Sequence, residues 1–205
     1  MEVSQPGFWE ARYQRGETGW DLGGPTPVLV ELLRRGAFPV EPPAGVLVPG
    51  CGYGHDVLAL AQAGYSVVAV DFAREPLAAL AKRLPPTARV KLLQRDFFSL
   101  TPAEVGPVAA LWEYTCYCAI DPTQRESYFC KAAAILPPGG WLVGLFFPLA
   151  MGPGYAGGPP FLVELKEVVQ LAAKAGFSLQ HQEIPTTSHP ARQGREALLI
   201  FQRLP

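Results

Sequence analysis

Three glycines and two acids carry the clearest chemical potential in this chain. Gly50, Gly52 and Gly54 alternate with Cys51 and Tyr53 directly after the apolar run Val46-Leu47-Val48-Pro49. Alternating glycines let a chain turn tightly at a strand end and let a ligand lie against the main chain without meeting a Cβ. The segment after them starts a helix, whose free N–H groups suit an anionic ligand group. Asp71 closes the next β-branched run, about 20 residues on, where dinucleotide-type folds place the acid that binds ribose hydroxyls. Asp96 follows a third apolar run. A carboxylate there can accept from an adenine amino group while a neighbouring backbone N–H serves the ring nitrogen. Each feature also has a plain structural reading: a strand-to-helix turn for the glycines, a loop or helix cap for the acids. In series they point to a nucleoside-bearing ligand. Dinucleotide sites use G-x-G-x-x-G. Here position 55 is His and the pattern is G-x-G-x-G, a spacing that favours S-adenosylmethionine, which has no pyrophosphate to cradle.

Such residues must be set at one sheet edge, and the rest of the sequence supplies that sheet. Strands are expected at 46–48, 67–70, 90–93, 108–114, 141–147, 177–184 and 197–202. Helices are expected at 56–63, 75–84, 123–136 and 161–175, several closed by Gly or Pro. Strand and helix alternating at this pitch predict an α/β protein with a doubly wound, Rossmann-like seven-stranded sheet, mostly parallel, with an antiparallel C-terminal strand pair. Residues 38–45 and 148–160 read as loops rich in Pro or in Gly and Pro. The length of 205 residues suits one domain. Residues 1–40 are expected to form an N-terminal helical lid segment and 44–205 the core.

Composition narrows the partners. Hydrophobic residues make up 49%, charged residues 17%, and the formal net charge is -1, so no excess charge draws the chain to nucleic acid or an anionic membrane. The first residues lack the basic and apolar regions of a signal peptide, and no run is long enough to span a bilayer. A cytoplasmic protein with a small-molecule partner is expected; the oligomeric state is left open. Cys51, Cys116, Cys118 and Cys130 form no C-x-x-C pair. Cys116 and Cys118 read as small buried hydrophobes rather than metal ligands, and no metal is expected. The sequence contains no Asn, hence no N-glycosylation acceptor.

These motifs, taken in order, resemble the thiopurine/thiol methyltransferase family, especially its plant-type branch acting on thiols, thiocyanate and halides. The resemblance runs through Phe8-Trp9-Glu10-Ala11-Arg12-Tyr13, Thr18-Gly19-Trp20-Asp21 and Val48-Pro49-Gly50-Cys51-Gly52-Tyr53-Gly54-His55-Asp56. It continues with Asp96-Phe97-Phe98, Glu113-Tyr114, Cys118-Ala119-Ile120-Asp121-Pro122 and Gly157-Gly158-Pro159-Pro160-Phe161. It covers nearly the whole chain and implies a class I methyltransferase fold with S-adenosyl-L-methionine as cofactor. It implies Gly50 under the amino-acid part of the cofactor, Asp71 at the ribose, and Asp96 with Phe97 at the adenine. Trp9, Tyr13 and Trp20 would fold over the methionine end, with Tyr114 closing the pocket. A sulfonium cation is attracted to aromatic faces, and Trp9 and Tyr13, four apart, share a helical face. Many methyltransferases carry an acid two residues before the first glycine; here that residue is Val48, as expected for this family.

The implied reaction is in-line displacement at the sulfonium methyl, moving it to a small soft nucleophile such as a thiol, hydrosulfide, thiocyanate, halide or thiopurine-like group. The methyl is already activated, so alignment matters most, and no catalytic base is assigned. His55 reads as a residue packing at the helix start and Glu113 as a buried structural acid. His189, Arg192, Arg195 and Glu196 read first as a solvated turn, with Arg192 the one to attract an anionic methyl acceptor. Tyr155 in the 148–160 loop is a further possible contact. The competing readings are an NAD-dependent oxidoreductase and a non-catalytic adenosyl-binding module. A nucleic-acid amino-methyltransferase needs an Asn- or Asp-Pro-Pro-aromatic run, which Tyr114-Thr115-Cys116-Tyr117 is not.

Overall fold

The computed structural model describes residues 2–205; residue 1 of the expected lid segment lies outside them. A seven-stranded sheet in the order β3-β2-β1-β4-β5-β7-β6 carries the fold. β1 (Gly45–Pro49), β2 (Ser66–Asp71), β3 (Val90–Gln94), β4 (Ala110–Tyr114) and β5 (Trp141–Phe146) run parallel. β7 (Ala197–Arg203) is antiparallel to both β5 and β6 (Phe177–Glu183). The strands of the expected C-terminal pair do face each other, but β7 inserts between β5 and β6. It is the one reversed strand, and β6 becomes the edge.

The apolar runs face both sides of the sheet, as parallel strands covered by helices must. Val46 and Val48 join one core with Leu29, Leu60, Leu80 and Trp112, under α2 (Pro27–Arg34), α3 (His55–Gln62) and α4 (Arg74–Arg83). Leu47 joins the other with Leu111, Tyr128, Phe129, Phe146 and Phe201, under α6 (Arg125–Ile135) and α7 (Leu165–Lys174). The short α5 (Pro102–Val105) sits between β3 and β4, held by a Thr101–Glu104 capping box.

Two helix starts differ from expectation. The 123–136 helix opens with a 3₁₀ turn, Pro122–Gln124, capped by Asp121. The 161–175 helix begins only at Leu165. Before that the Phe161 N–H donates to Cys118 O (2.7 Å) and the Val163 N–H to Pro148 O (2.9 Å), so these amides tie the loop down instead of starting a helix.

The crevice for a ligand follows from the order of strands. The chain leaves β1 toward β2 and β3, then returns to β4 on β1's other side, and ligands bind beyond the strand ends at such a switch point. β1 pairs with β2 along Gly45–Pro49 but with β4 only at Val46 and Leu47. Pro49 has no N–H to offer a neighbouring strand. β1 and β4 therefore separate toward their carboxyl ends, and the glycine loop and the turn after Tyr114 flank the gap.

Candidate functional site

The glycine loop is shaped by its own hydrogen bonds. Gly50, Gly52 and Gly54 have φ of +55°, +52° and +72°, the left-handed region that glycine enters without strain. A Cβ on Gly50 would lie 3.0 Å from both Cβ and Sγ of Cys116, and one on Gly54 would strike Leu80 at 2.4 Å. The Cys51 N–H donates to Val70 O (2.9 Å), the Gly52 N–H to Asp71 Oδ2 (2.8 Å) and the Gly54 N–H to Cys51 O (2.9 Å). Three loop amides are thus committed inside the protein. A pyrophosphate cradle needs such amides free, which disfavours a dinucleotide here.

Asp71 is 7% exposed and lines the cavity. Its second oxygen accepts from Ala73 N–H at 2.9 Å, while Ala73 itself holds the cap position of α4. The carboxylate therefore braces two turns. With about four lone-pair sites it keeps acceptor capacity toward the cavity. Burial raises its pKa to about 6, against the backbone donors of Ala73, Gly52 and Phe72 that lower it. Asp96 accepts from Phe98 N–H at 2.9 Å and caps the Phe97–Ser99 turn, so its structural role is real; it also lines the cavity with Phe97 and Phe98. Phe97 is fixed against Tyr128, ring centroids 4.9 Å apart.

The N-terminal segment covers this edge. α1 (Pro6–Gln14) carries Trp9 and Tyr13. Trp20 meets both rings edge-on at 5.5 Å, and Tyr13 meets Tyr53 of the glycine loop at 5.3 Å. Trp9 Nε1 donates to Val3 O (2.8 Å), and Glu10 accepts from the first N–H of α4 at Arg74 (2.8 Å). Trp9, Tyr13, Trp20, Gly50, Asp71, Asp96 and Phe97 all line one cavity of about 470 Å³, a size typical of small-molecule sites.

Tyr114 departs from its expected place. It lines a smaller neighbouring cavity of about 140 Å³ and is not on the main wall. The cause is strand alternation: Glu113 turns to one face and Tyr114 to the other, where its hydroxyl donates to Glu196 Oε2 (3.3 Å). The main wall is made instead by the turn that follows, Thr115, Cys116, Cys118, Ala119 and Ile120. Thr115 has φ +63°, rare for a β-branched residue. Glu113 secures that turn. It is 1% exposed, accepts from Tyr117 N–H at 2.8 Å and from the Tyr128 hydroxyl, and burial pushes its pKa up to about 7.

The far end of the cavity corrects one reading. The cluster around His189 is not a solvated turn: Arg192 is 4% and Glu196 0% exposed. Arg192 donates to Trp20 O (2.7 Å) and stacks on Phe147 (4.4 Å) and Tyr114 (5.0 Å). Its Nη1 is buried without a hydrogen-bond partner among the described residues. Arg192, Arg195 and Phe147 line the main cavity. In sequence Phe147 reads only as a strand end; Arg192 is the member of its cluster singled out there for an anionic acceptor, but its burial is not visible. His55 is placed outside the main cavity, its Nε2 3.0 Å from Asp21 Oδ1. The Tyr155 hydroxyl donates to Pro160 O (2.8 Å), and the residue is not on the wall.

The four cysteines are free; Cys116 and Cys118 sit in the turn after β4 rather than on a strand. Burial raises the Cys51 and Cys116 thiols, and that of Cys118 to about 12. Among the described residues no group of His, Cys, Asp and Glu could hold a metal ion.

The arrangement fits S-adenosylmethionine: a backbone cradle where only glycine fits, a carboxylate with spare acceptor capacity one strand on, a second acid beside aromatic rings, and an aromatic cover. Comparison with known proteins agrees. The chain is 35% identical over 180 residues to probable thiol methyltransferase 2 of Arabidopsis thaliana, covering 86% of this chain and 76% of that one. It is 31% identical over 206 residues to thiocyanate methyltransferase 1 of Brassica oleracea, covering 99% and 88%. Its fold matches the Burkholderia thailandensis 1,6-didemethyltoxoflavin-N1-methyltransferase, solved with S-adenosylhomocysteine, at a TM-score of 0.75 over 99% of this chain and 88% of that one, with 20% identity. The profile of the thiopurine S-methyltransferase (TPMT) family matches residues 4–201, and the chain belongs to this family of S-adenosylmethionine-dependent methyltransferases.

Proposed function

We propose that this enzyme methylates a small, soft, anionic nucleophile (a thiolate, hydrosulfide, thiocyanate or halide) held at the Arg192–Phe147 end of the cavity. The observation that carries this reading is the buried guanidinium of Arg192, with one nitrogen unpaired among the described residues, on the wall of the cavity that holds Gly50 and Asp71. A buried cation with an uncommitted donor is a site for a compact anion, and Phe147 beside it supplies a polarisable surface.

Bound S-adenosylmethionine supplies a methyl group already activated on a sulfonium. Under this reading Gly50 bears its amino-acid part, Asp71 accepts from the ribose hydroxyls, and Asp96 and Phe97 hold the adenine. Trp9, Tyr13 and Trp20 present aromatic surface to the cation, each such contact contributing about 0.5–2 kcal/mol in general. Tyr114 acts from behind, as a support for Arg192. The protein aligns the two reactants and excludes water; a nucleophile that arrives ionised needs no base. The cysteines on the wall fit the same logic. The thiolate is the nucleophile, and burial keeps Cys116 and Cys118 protonated beside an alkylating cofactor. We place the reaction in the cytoplasm; among the described residues no helix is long and apolar enough to cross a membrane.

A methyl-release screen across iodide, thiocyanate, hydrosulfide, small thiols and thiopurines tests the proposal, beside titration with S-adenosylhomocysteine and NAD. Turnover of at least one soft anion with binding of S-adenosylhomocysteine is expected. Binding of NAD alone, or cofactor binding without turnover of any nucleophile, overturns it.

A further inference from the structure

Glu196 has no part in the chemistry above, yet it is a fully buried acid immediately before β7. One oxygen accepts from the Tyr114 hydroxyl at 3.3 Å, and the other lies close to Ser188 without a hydrogen bond of good geometry among the described residues. Arg192 lies 5.0 Å above the centre of the same Tyr114 ring. The ring is thus gripped by a carboxylate at its edge and a guanidinium on its face. A buried carboxylate is costly unless a cation or donor compensates it. Here the nearby compensating groups are Arg192, Tyr114 and Ser188, with His189 adding positive character when protonated. Arg192 is likewise buried, and the groups it meets by hydrogen bonding, Trp20 O and the Tyr114 hydroxyl, are neutral.

We propose that Glu196 is a positioning residue that sets the charge of the methyl-acceptor end: acting through Arg192 across the Tyr114 ring, it offsets the guanidinium and limits how tightly the site holds anions. The inference rests on Arg192 being the anion contact. Without Glu196 the pocket would carry an uncompensated buried cation and retain ambient chloride or other monovalent anions. With it, Arg192 offers directional donors but little net charge, and anions exchange freely between turnovers.

The test is Glu196→Gln, which keeps an oxygen for the Tyr114 hydroxyl and removes the charge. The KM for iodide and for thiocyanate should fall roughly five- to tenfold at neutral pH, the scale of one unscreened charge at short range. Chloride should inhibit the variant more strongly. The Kd for S-adenosylhomocysteine, which has no net charge, should stay within about twofold. The gain should vanish at acid pH, where Glu196 of the unaltered enzyme is itself protonated. Tyr114, His189, Arg192 and Arg195 are common to both proteins, so the ratio of their KM values isolates Glu196. A gain of affinity is an outcome that structural damage does not produce. Unchanged or raised KM values with intact cofactor binding overturn the inference. Should the Gln variant fail to fold, Glu196→Met, which buries no polar atom, carries the same prediction. Arg192→Gln separates the two ideas: a raised KM there with no change in E196Q leaves the anion site standing and removes Glu196 from it. No effect of either variant removes both; where the unaltered enzyme turns over hydrosulfide or a thiolate in place of iodide and thiocyanate, the KM for that anion is the one read.

Discussion

The two ends of the cavity are built by different means. The end proposed for the cofactor has a backbone floor, with left-handed glycines, loop amides committed to Val70, Asp71 and Cys51, and the Asp71 carboxylate tying loop to strand, under an aromatic cover from the N-terminal segment. The floor comes from β1, β2 and the loops after them, which follow one another in the chain. The end proposed for the methyl acceptor is made of long side chains, Arg192, Arg195 and Phe147, brought together from the residue after β5 and the turn before β7. A backbone site is hard to alter without loss, whereas a side-chain site can be retuned one residue at a time.

The comparison is most exposed to paired substitutions at the two ends. Gly50→Ala places a Cβ against Cys116 in a left-handed backbone, and calorimetry should show affinity for S-adenosylhomocysteine falling about 100-fold, a strained turn and a close contact together contributing roughly 2–3 kcal/mol. Arg192→Gln should instead raise the KM for an anionic methyl acceptor roughly 30-fold, with cofactor affinity within about threefold. If the two variants change the same constant, the division into two ends is wrong.

The next effect concerns the wall between the ends. The folded protein keeps the Glu113 proton to about pH 7, whereas the ordinary value is 4.5. Between those values the folded state binds more protons than the unfolded chain, so this group's contribution falls as pH rises, by about 3 kcal/mol across the window. Asp71, raised to about 6, adds a slope of the same sign below it. Thermal melts without cofactor should show Tm declining from pH 5 to 7.5. In Glu113→Gln the part of the decline above pH 6 should disappear. An unchanged slope would show that Glu113 is ionised throughout. The smallest effect belongs to Tyr155→Phe. The hydroxyl is occupied by Pro160 O, and Tyr155 is off the wall to which Pro159 and Pro160 belong, so kcat/KM should change less than about twofold. A large loss would bring Tyr155 itself into the site.

The same division governs what the sequence discloses. Glycines after a β-branched run, and acids closing the next two strands, are local signals, because the physics that selects them acts within a few residues. The turn at Gly50 and the strand-end placing of Asp71 and Asp96 were legible for that reason, as were the seven strands. Tyr114 stands on the expected strand but lines the smaller cavity, which shares Gly50 and Trp20 with the main one, since which face it takes depends on where β4 enters the sheet. Arg192 and Glu196 look like any polar turn in sequence; their burial is a property of Phe147, Tyr114 and Trp20 arriving from elsewhere. Nothing in the residue type of Thr115 announces a left-handed backbone. The late start of α7 was hidden because the amides of Phe161 and Val163 find partners some 15–45 residues away in the chain.

The placement of β7 has a consequence for how the enzyme comes into being. β6 pairs with no strand except β7, and β7 is made after it. While the chain is being synthesised, β1 to β5 can assemble with the complete cofactor end, but β6 has no neighbour until β7 slides between it and β5. The turn bearing Arg192 and Glu196 leads directly into that strand. Closing the sheet and completing the methyl-acceptor end are therefore one event. On the proposed reading, a chain that has not yet placed β7 lacks both Arg192 on the wall and the hydrogen bond from it that holds Trp20, so the site is finished only when the last gap in the sheet is filled.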